Sequence, residues 1–168
     1  MTLTVETGAG DDPTANSYVS RETAIDFAAA RGVLIADDDA TDALAIQAMD
    51  YLSMQNWIGE RTYPLQPLDW PRTYYVCYEA QPIDVVPAQI VNAQCALIMY
   101  ASQGIVLLPT KAAGSEKFVV SKKLGPIETT YSEAVALNAS NAPLMPLVNS
   151  LLRPFLEGGA GPTRSYRV

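Results

Sequence analysis

The sequence predicts a mainly α, α+β fold: a compact bundle of about four helices with one β-hairpin and an extended C-terminal tail. Three observations support this prediction. Four segments carry apolar residues at helical spacing, two short alternating segments flank a Gly-Pro turn, and a glycine-rich stretch precedes the last residues. The chain has 168 residues, which suits one domain. We place a helical domain at residues 1–157 and a flexible tail at residues 158–168.

The first two predicted helices are separated by a run of acidic residues. Ser20 is a favourable N-cap for a helix that runs to about Arg31, where Gly32 ends it. The run Asp37–Asp39 could be a metal site, but no partnered set of ligands lies near it in sequence. We interpret the run as capping and charging the start of a second helix at about residues 40–56.

Aromatic residues crowd the segment 57–86, which contains no clear helix because four prolines interrupt it. Rings placed between prolines could form a stacking platform for nucleic-acid bases. Aromatic rings more often pack a loop onto a helical body, because they fill large volumes. We favour packing. The aromatic residues concerned are Trp57, Tyr63, Trp70, Tyr74, Tyr75 and Tyr78.

The third predicted helix, at about residues 87–103, is the most apolar part of the chain. Pro87 has the backbone angle preferred at the first helical position. No charged residue occurs between Asp84 and Lys111, and only Gln94 interrupts the apolar stripe. A helix of this composition is typical of the buried centre of a bundle.

A hairpin and a last helix complete the domain. Alternation predicts strands at residues 116–123 and 127–131, joined by the turn Gly125-Pro126. The last helix is expected at residues 143–156, with Pro146 in its first turn and Pro154 ending or kinking it. The first arm of the hairpin is the only basic cluster in the chain, and we weigh it against an ordinary solvated face. Its basic residues are Lys111, Lys117, Lys122 and Lys123.

The composition gives no indication of catalysis. Histidine is absent, which excludes Ser–His and Cys–His dyads and histidine metal ligands. No phosphate-binding glycine motif occurs, and Cys77 and Cys95 are too few for a disulfide framework. We therefore expect a protein that is not an enzyme, with no cofactor, no metal and free structural thiols. We expect no signal peptide and no membrane span, since no apolar stretch approaches the ~18 residues that one needs.

Charge also bears on possible partners. The formal net charge is −7, with 18 acidic and 11 basic residues, which gives no global sign of nucleic-acid binding. The tail carries Arg164, Tyr166 and Arg167 and no acidic residue. On its own it would be disordered, and in an assembly it could order on a partner through the tyrosine and the two arginines.

Several short motifs occur in order over about residues 15–131. The pieces are Ala15–Ser20, Phe27–Gly32, Ala48–Leu52, Trp70–Arg72, the Pro87 helix with Ile90 and Ala93, and Gly125–Glu128 leading to Tyr131. In this order they resemble a family of tailed-bacteriophage proteins known as DnaT-like single-stranded-DNA-binding proteins. The chain is also similar to the head–tail adaptor, or head-completion, subunits of phage particles.

The resemblance implies a virion structural protein that connects head to tail. It implies a homo-oligomeric, twelve-fold ring docked on the portal protein, with a tail-side neck or tail-completion protein as its other neighbour. DNA would pass through the lumen without specific binding, and the subunit would occupy the host cytoplasm during assembly. The alternative is a single-stranded-DNA-binding protein. Our candidate contact residues for partners are Lys117, Lys122, Lys123, Arg164, Tyr166 and Arg167.

Overall fold

The computed structural model describes residues 2–10, 12–76, 79–80, 85–108, 121–124, 127–130 and 145–158. The chain divides into a main unit, residues 1–107 and 144–168, and a second unit, residues 108–143. The predicted fold class is confirmed: the residues that the structure describes form four α-helices and an antiparallel hairpin with four-residue strands. The predicted start of a separate tail at residue 158 coincides with the end of the described chain and stays a prediction.

The main unit holds the helices and two very short sheets. The helices are α1 (Arg21–Ala29), α2 (Asp39–Ser53), α3 (Ala88–Ser102) and α4 (Pro146–Leu152). A 3-10 turn, Arg153–Phe155, follows α4. Strand β1 (Glu60–Arg61) pairs antiparallel with β2 (Arg72–Thr73), and β3 (Tyr75–Val76) pairs antiparallel with β4 (Glu79–Ala80).

The first two helices begin at side-chain caps, as predicted. The side chain of Ser20 accepts a hydrogen bond from the backbone N–H of Thr23. The side chain of Asp38 accepts from the N–H groups of Ala40 and Thr41 at the start of α2. The interpretation of the acidic run as a helix cap is therefore confirmed.

Helix α3 lies at the centre of the main unit, as its uncharged sequence predicted. Helices α1, α2 and α4 all pack against it. Ile90, Leu97 and Ile98 are completely buried, and so is the polar Gln94. The wide apolar face of α3 is explained by its three neighbours, because a helix that packs against several others buries more of its surface.

Helix α4 is shorter than the predicted 143–156. Met145 precedes it as the N-cap, and Pro146 occupies the first turn as expected. The helix ends at Leu152, and Pro154 lies in the following 3-10 turn. The reason is that Pro154 has no N–H to donate to the carbonyl four residues earlier, so the α-helical pattern stops there.

The second unit contains the predicted hairpin. Strand β5 (Ser121–Leu124) pairs antiparallel with β6 (Ile127–Thr130), and Leu124 lies opposite Ile127. The strands flank residues 125–126, where the sequence predicted the turn. The remainder of the predicted strands, residues 116–120 and 131, lies outside the described residues.

Candidate functional site

Three of the four aromatic side chains that the structure describes in the segment 57–86 lie inside the main unit, whereas Tyr63 is 39% exposed. Trp57, Trp70 and Tyr74 are 5%, 0% and 8% exposed, and they cluster with Phe155. Four pairs of rings meet edge to face, with centroids 5.3–6.0 Å apart. The packing interpretation is confirmed for these rings, which are not accessible for stacking on bases. The side chains of Tyr75 and Tyr78 lie outside the described set.

Basic side chains in the main unit are largely engaged within the chain. Four of the five arginines among the described residues bind acceptors of this protein. Arg21 binds Asp42, Arg31 binds the carbonyl oxygen of Phe27, Arg61 binds Asp69, and Arg72 binds the carbonyl oxygens of Ile58 and Gly59. These guanidinium groups are consequently poor candidates for a surface that neutralises phosphates.

An acidic groove lies where α1 and α2 begin. Arg21 donates from Nε and Nη2 to the two carboxylate oxygens of buried Asp42, over 2.7 and 2.6 Å, and also pairs with Asp37 and Asp39. The guanidinium lowers the pKa of Asp42, because its hydrogen bonds favour the charged carboxylate. The groove encloses about 520 Å³ and is lined by Thr2, Leu3, Ser20, Arg21, Glu22, Asp37 and Asp42.

The pair formed by Arg21 and Asp42 predicts a pH-dependent loss of stability in Asp42→Asn. Because the folded pKa of Asp42 is depressed, its stabilisation is complete above the unfolded pKa of about 3.9 and is lost as pH falls through the folded pKa. We expect Asp42→Asn to be less stable than wild type at neutral pH and equally stable in strong acid. Urea denaturation at several pH values measures this.

Asp50→Asn is the matched control for this experiment, since Asp50 is an exposed carboxylate on the same helix. It should leave stability nearly unchanged across the pH range. A stability gap between Asp42→Asn and wild type that persists undiminished in strong acid would contradict the assignment to Arg21.

A second groove, here called the Gly59 groove, lies beside the β1–β2 pair. It encloses about 520 Å³ and is lined by Ile58, Gly59, Glu60, Thr73 and Tyr74. Gly59 has φ +70°, and its Cα faces the backbone of Thr73 so closely that a Cβ would overlap the Thr73 carbonyl oxygen. Glycine is therefore required for the shape of this groove.

Gly59→Ala is expected to destabilise the protein more than the same substitution at Gly32. Both glycines have positive φ, but nothing lies within 4 Å of a Cβ built on Gly32. Gly32→Ala should lose roughly 1–2 kcal/mol from backbone strain alone. Gly59→Ala adds the overlap with Thr73, so its loss in chemical denaturation should be larger. Equal losses of stability in the two variants would show that the backbone of Thr73 in β2 lies farther from Gly59 than the structure places it.

The loop between β1 and β2, residues 62–71, is held by a buried glutamine and is here called the Leu65 loop. Gln66 accepts from the N–H of Tyr63 over 3.0 Å and donates to the carbonyls of Leu68 and Pro71 over 2.8 and 2.9 Å. The loop presents Leu65, which is 93% exposed. An exposed aliphatic residue thus lies on a backbone that is already ordered.

Metal-ligand clusters and membrane-spanning helices were sought among the residues that the structure describes. Those residues contain no group of three or more metal-ligating side chains, and none of their helices has the length and apolarity to cross a bilayer. Cys95 is a free, buried thiol whose pKa burial raises to about 11, so it is protonated at neutral pH.

The comparison with protein families identifies the chain's relatives. A family model described as "Putative DnaT-like ssDNA binding protein" matches residues 1–168. The chain belongs to this family. No curated protein and no solved structure matches the chain.

In this DnaT-like chain, the structure places two of the six predicted contact residues. Lys122 lies opposite Thr129 and Lys123 opposite Glu128 in the hairpin. The other four lie outside the described residues, namely Lys117, Arg164, Tyr166 and Arg167.

Sequence reasoning missed both grooves and the Leu65 loop in this DnaT-like chain. The ion pair of Arg21 with Asp42 joins residues 21 positions apart, and nothing local marks them as partners. In the sequence, the positive φ of Gly59 is indicated only weakly, by an isolated glycine that precedes the charged residues Glu60 and Arg61. Their arrangement depends on contacts between distant segments.

Proposed function

We propose that this protein is a virion structural subunit, a head-to-tail connector that assembles with copies of itself into a ring on the phage portal. It is a scaffold rather than an enzyme, and its other neighbour is a tail-side neck or tail-completion protein. The resemblance of the ordered motifs to phage adaptors motivates the proposal.

The observation that carries the proposal is the Leu65 loop. Leu65 is 93% exposed, and the three hydrogen bonds of Gln66 hold the backbone around it. Binding through an ordered loop loses little conformational entropy, so an apolar residue there is well suited to a contact with a neighbouring subunit. Leu34, at 92% exposure, offers a second aliphatic contact.

The distribution of charge supports passage of DNA rather than its capture. The main unit contains fifteen acidic and seven basic residues, a net charge of −8, whereas the second unit has three acidic and four basic residues, a net charge of +1. An acidic subunit repels phosphates, which suits a ring through whose lumen DNA slides.

The test is assembly of the full chain with its cognate portal, followed by light scattering and negative-stain imaging. Wild type should form rings, alone or on the portal. Leu65→Asp should lower the ring yield strongly while leaving the thermal midpoint unchanged, because the side chain is exposed in the subunit. Gln47→Asp, which adds the same charge at an exposed position of α2, should assemble like wild type. A wild-type monomer that ignores the portal would refute the proposal.

Single-stranded-DNA binding is the second candidate, because the family description names it. All four lysines of the chain lie between residues 111 and 123, so this segment is the natural contact for phosphates. This candidate predicts salt-dependent affinity that falls in a variant with Lys117, Lys122 and Lys123 changed to glutamine. A titration of the protein with single-stranded DNA that shows no binding at low salt would rule out this candidate.

A further inference from the structure

Glu6 is a buried carboxylate that holds the short loop following it in the sequence. It is 5% exposed, and its Oε1 accepts hydrogen bonds from the N–H groups of Gly8 and Gly10 over 2.8 and 3.0 Å. Its Oε2 has no partner among the described residues. The two glycine N–H groups are therefore the contacts through which this carboxylate acts. Residues 6–10 are here called the Glu6 loop.

The Glu6 loop packs against the Leu65 loop. Gly10 has φ +66°, and a Cβ built on it would overlap the ring of Tyr63. The N–H of Tyr63 in turn donates to Oε1 of Gln66, the residue that orders the Leu65 loop, over 3.0 Å. The first half of the Leu65 loop is thus placed against a glycine whose own position is set by Glu6.

Both loops are attached to the helical body through one segment. The N–H of Glu6 donates to the carbonyl of Ser17 over 2.8 Å. At the far end of the Leu65 loop, the N–H of Trp70 donates to the hydroxyl of Tyr18 over 3.0 Å. Ser17 and Tyr18 are both bound by the side chain of Gln94 in α3. The Leu65 loop therefore has two separate connections to the central helix, one through Glu6 and one through Tyr18.

We propose that Glu6 is a positioning residue for assembly: by holding Gly10 against Tyr63, it fixes where Leu65 is presented to the neighbouring subunit. This inference rests on the proposed role of Leu65 in ring formation. An exposed side chain docks at little entropic cost only while the backbone that carries it is ordered. Loss of the Glu6 contact leaves the end of the loop at Trp70 attached and releases the end at Tyr63.

The first test is amide hydrogen exchange of the isolated full chain, followed by NMR, in Glu6→Ala. The amides of Tyr63 and Gln66 donate to acceptors within the Leu65 loop, and they should exchange on the order of tenfold faster than in wild type. The amide of Trp70 should be unchanged, because Tyr18 holds it independently, and its protection shows that the variant is folded. Unchanged exchange at Tyr63 and Gln66 would overturn the proposal.

Two control variants accompany Glu6→Ala. Glu6→Gln should keep the Leu65 loop ordered, because its amide oxygen can accept the same two hydrogen bonds. Asp12→Ala removes a nearby carboxylate in sequence that binds only Thr14 among the described residues, and it should behave like wild type. Loosening of the Leu65 loop in Asp12→Ala as large as in Glu6→Ala would contradict the assignment to Glu6.

Gly10→Ala tests the same contact without removing the carboxylate, and it decides the question even if Glu6→Ala does not fold. The added methyl group displaces the ring of Tyr63, so exchange at Tyr63 and Gln66 should again be faster. Gly104→Ala introduces the same kind of backbone strain at φ +85°, but nothing lies within 4 Å of its Cβ. It should leave the Leu65 loop unchanged, and equal effects of the two alanines would count against the contact.

Assembly with the cognate portal separates this inference from the proposed function. Glu6→Ala and Gly10→Ala should lower the ring yield, whereas Glu6→Gln should assemble like wild type. A normal ring yield in Glu6→Ala, under conditions in which Leu65→Asp assembles poorly, would overturn the positioning role and leave the proposed function standing. A wild-type protein that forms no ring on the portal would refute the proposed function, and the positioning role with it.

Discussion

Replacing Trp70 by alanine is expected to lower the free energy of unfolding by about 3–5 kcal/mol, the range for removing a buried large aromatic side chain. Trp70 is fully buried and meets the rings of Trp57, Tyr74 and Phe155 edge to face. The alanine variant loses all three ring contacts and leaves a cavity. Denaturation in guanidinium chloride, with the slope of the transition checked against wild type, measures the loss.

Trp70→Phe is the matched control, because it keeps an aromatic ring in the cluster. The indole Nε1 of Trp70 has no hydrogen-bond partner among the described residues, so phenylalanine loses volume but no polar contact. We expect a clearly smaller loss than for alanine. If Trp70→Ala lost less than about 1 kcal/mol, the cluster would not be the packed centre that the ring geometry indicates.

Replacing Gln94 by leucine is expected to lower the free energy of unfolding by about 2–3 kcal/mol, although leucine is the more apolar residue. The Gln94 carbonyl oxygen accepts from the N–H of Tyr18 over 2.9 Å, and its amide donates to Ser17 Oγ and to the carbonyl of Ala45. Leucine leaves the N–H of Tyr18 buried without its partner. Urea denaturation measures the loss.

The same substitution at Gln47 isolates the effect of those hydrogen bonds. Gln47 is exposed on α2, so Gln47→Leu should change stability by less than about 0.5 kcal/mol. If Gln94→Leu were as stable as this control, the N–H of Tyr18 would have found another acceptor. The hydrogen bonds of Gln94 would then not be what holds the segment around Tyr18 against α2 and α3.

Local chemistry made much of the fold predictable. Ser20 and the run Asp37–Asp39 cap helices because their side-chain oxygens reach N–H groups two or three residues away. The uncharged stretch of α3 lies at the centre because any exposed face would have been marked by polar residues. Helix α4 ends at Leu152 rather than at residue 156, because Pro154, which the sequence predicts to end or kink the helix, has no N–H to continue its hydrogen bonds.

The sequence predicts that the aromatic residues of the segment 57–86 pack onto the helical body, but it does not predict which residues they contact. Phe155 reaches Trp70 across 85 positions of sequence, and Tyr18 accepts the N–H of Trp70 across 52. Gln94 shows the same limit. In the sequence, Gln94 only interrupts the apolar stripe of α3. In the structure, its side chain forms hydrogen bonds with residues of two other segments, Tyr18 and Ala45.

The sequence by itself determined the helical class, the order of the four helices and the hairpin, the caps and the acidic balance, because these depend on neighbouring residues and on composition. Only the tertiary structure decided that Trp57, Trp70 and Tyr74 are closed to bases, that four of the described arginines bind acceptors within the chain, and that two grooves and the Leu65 loop exist. Each of these depends on contacts between segments far apart in the chain. Such contacts follow from how the whole core packs, and no local pattern encodes them.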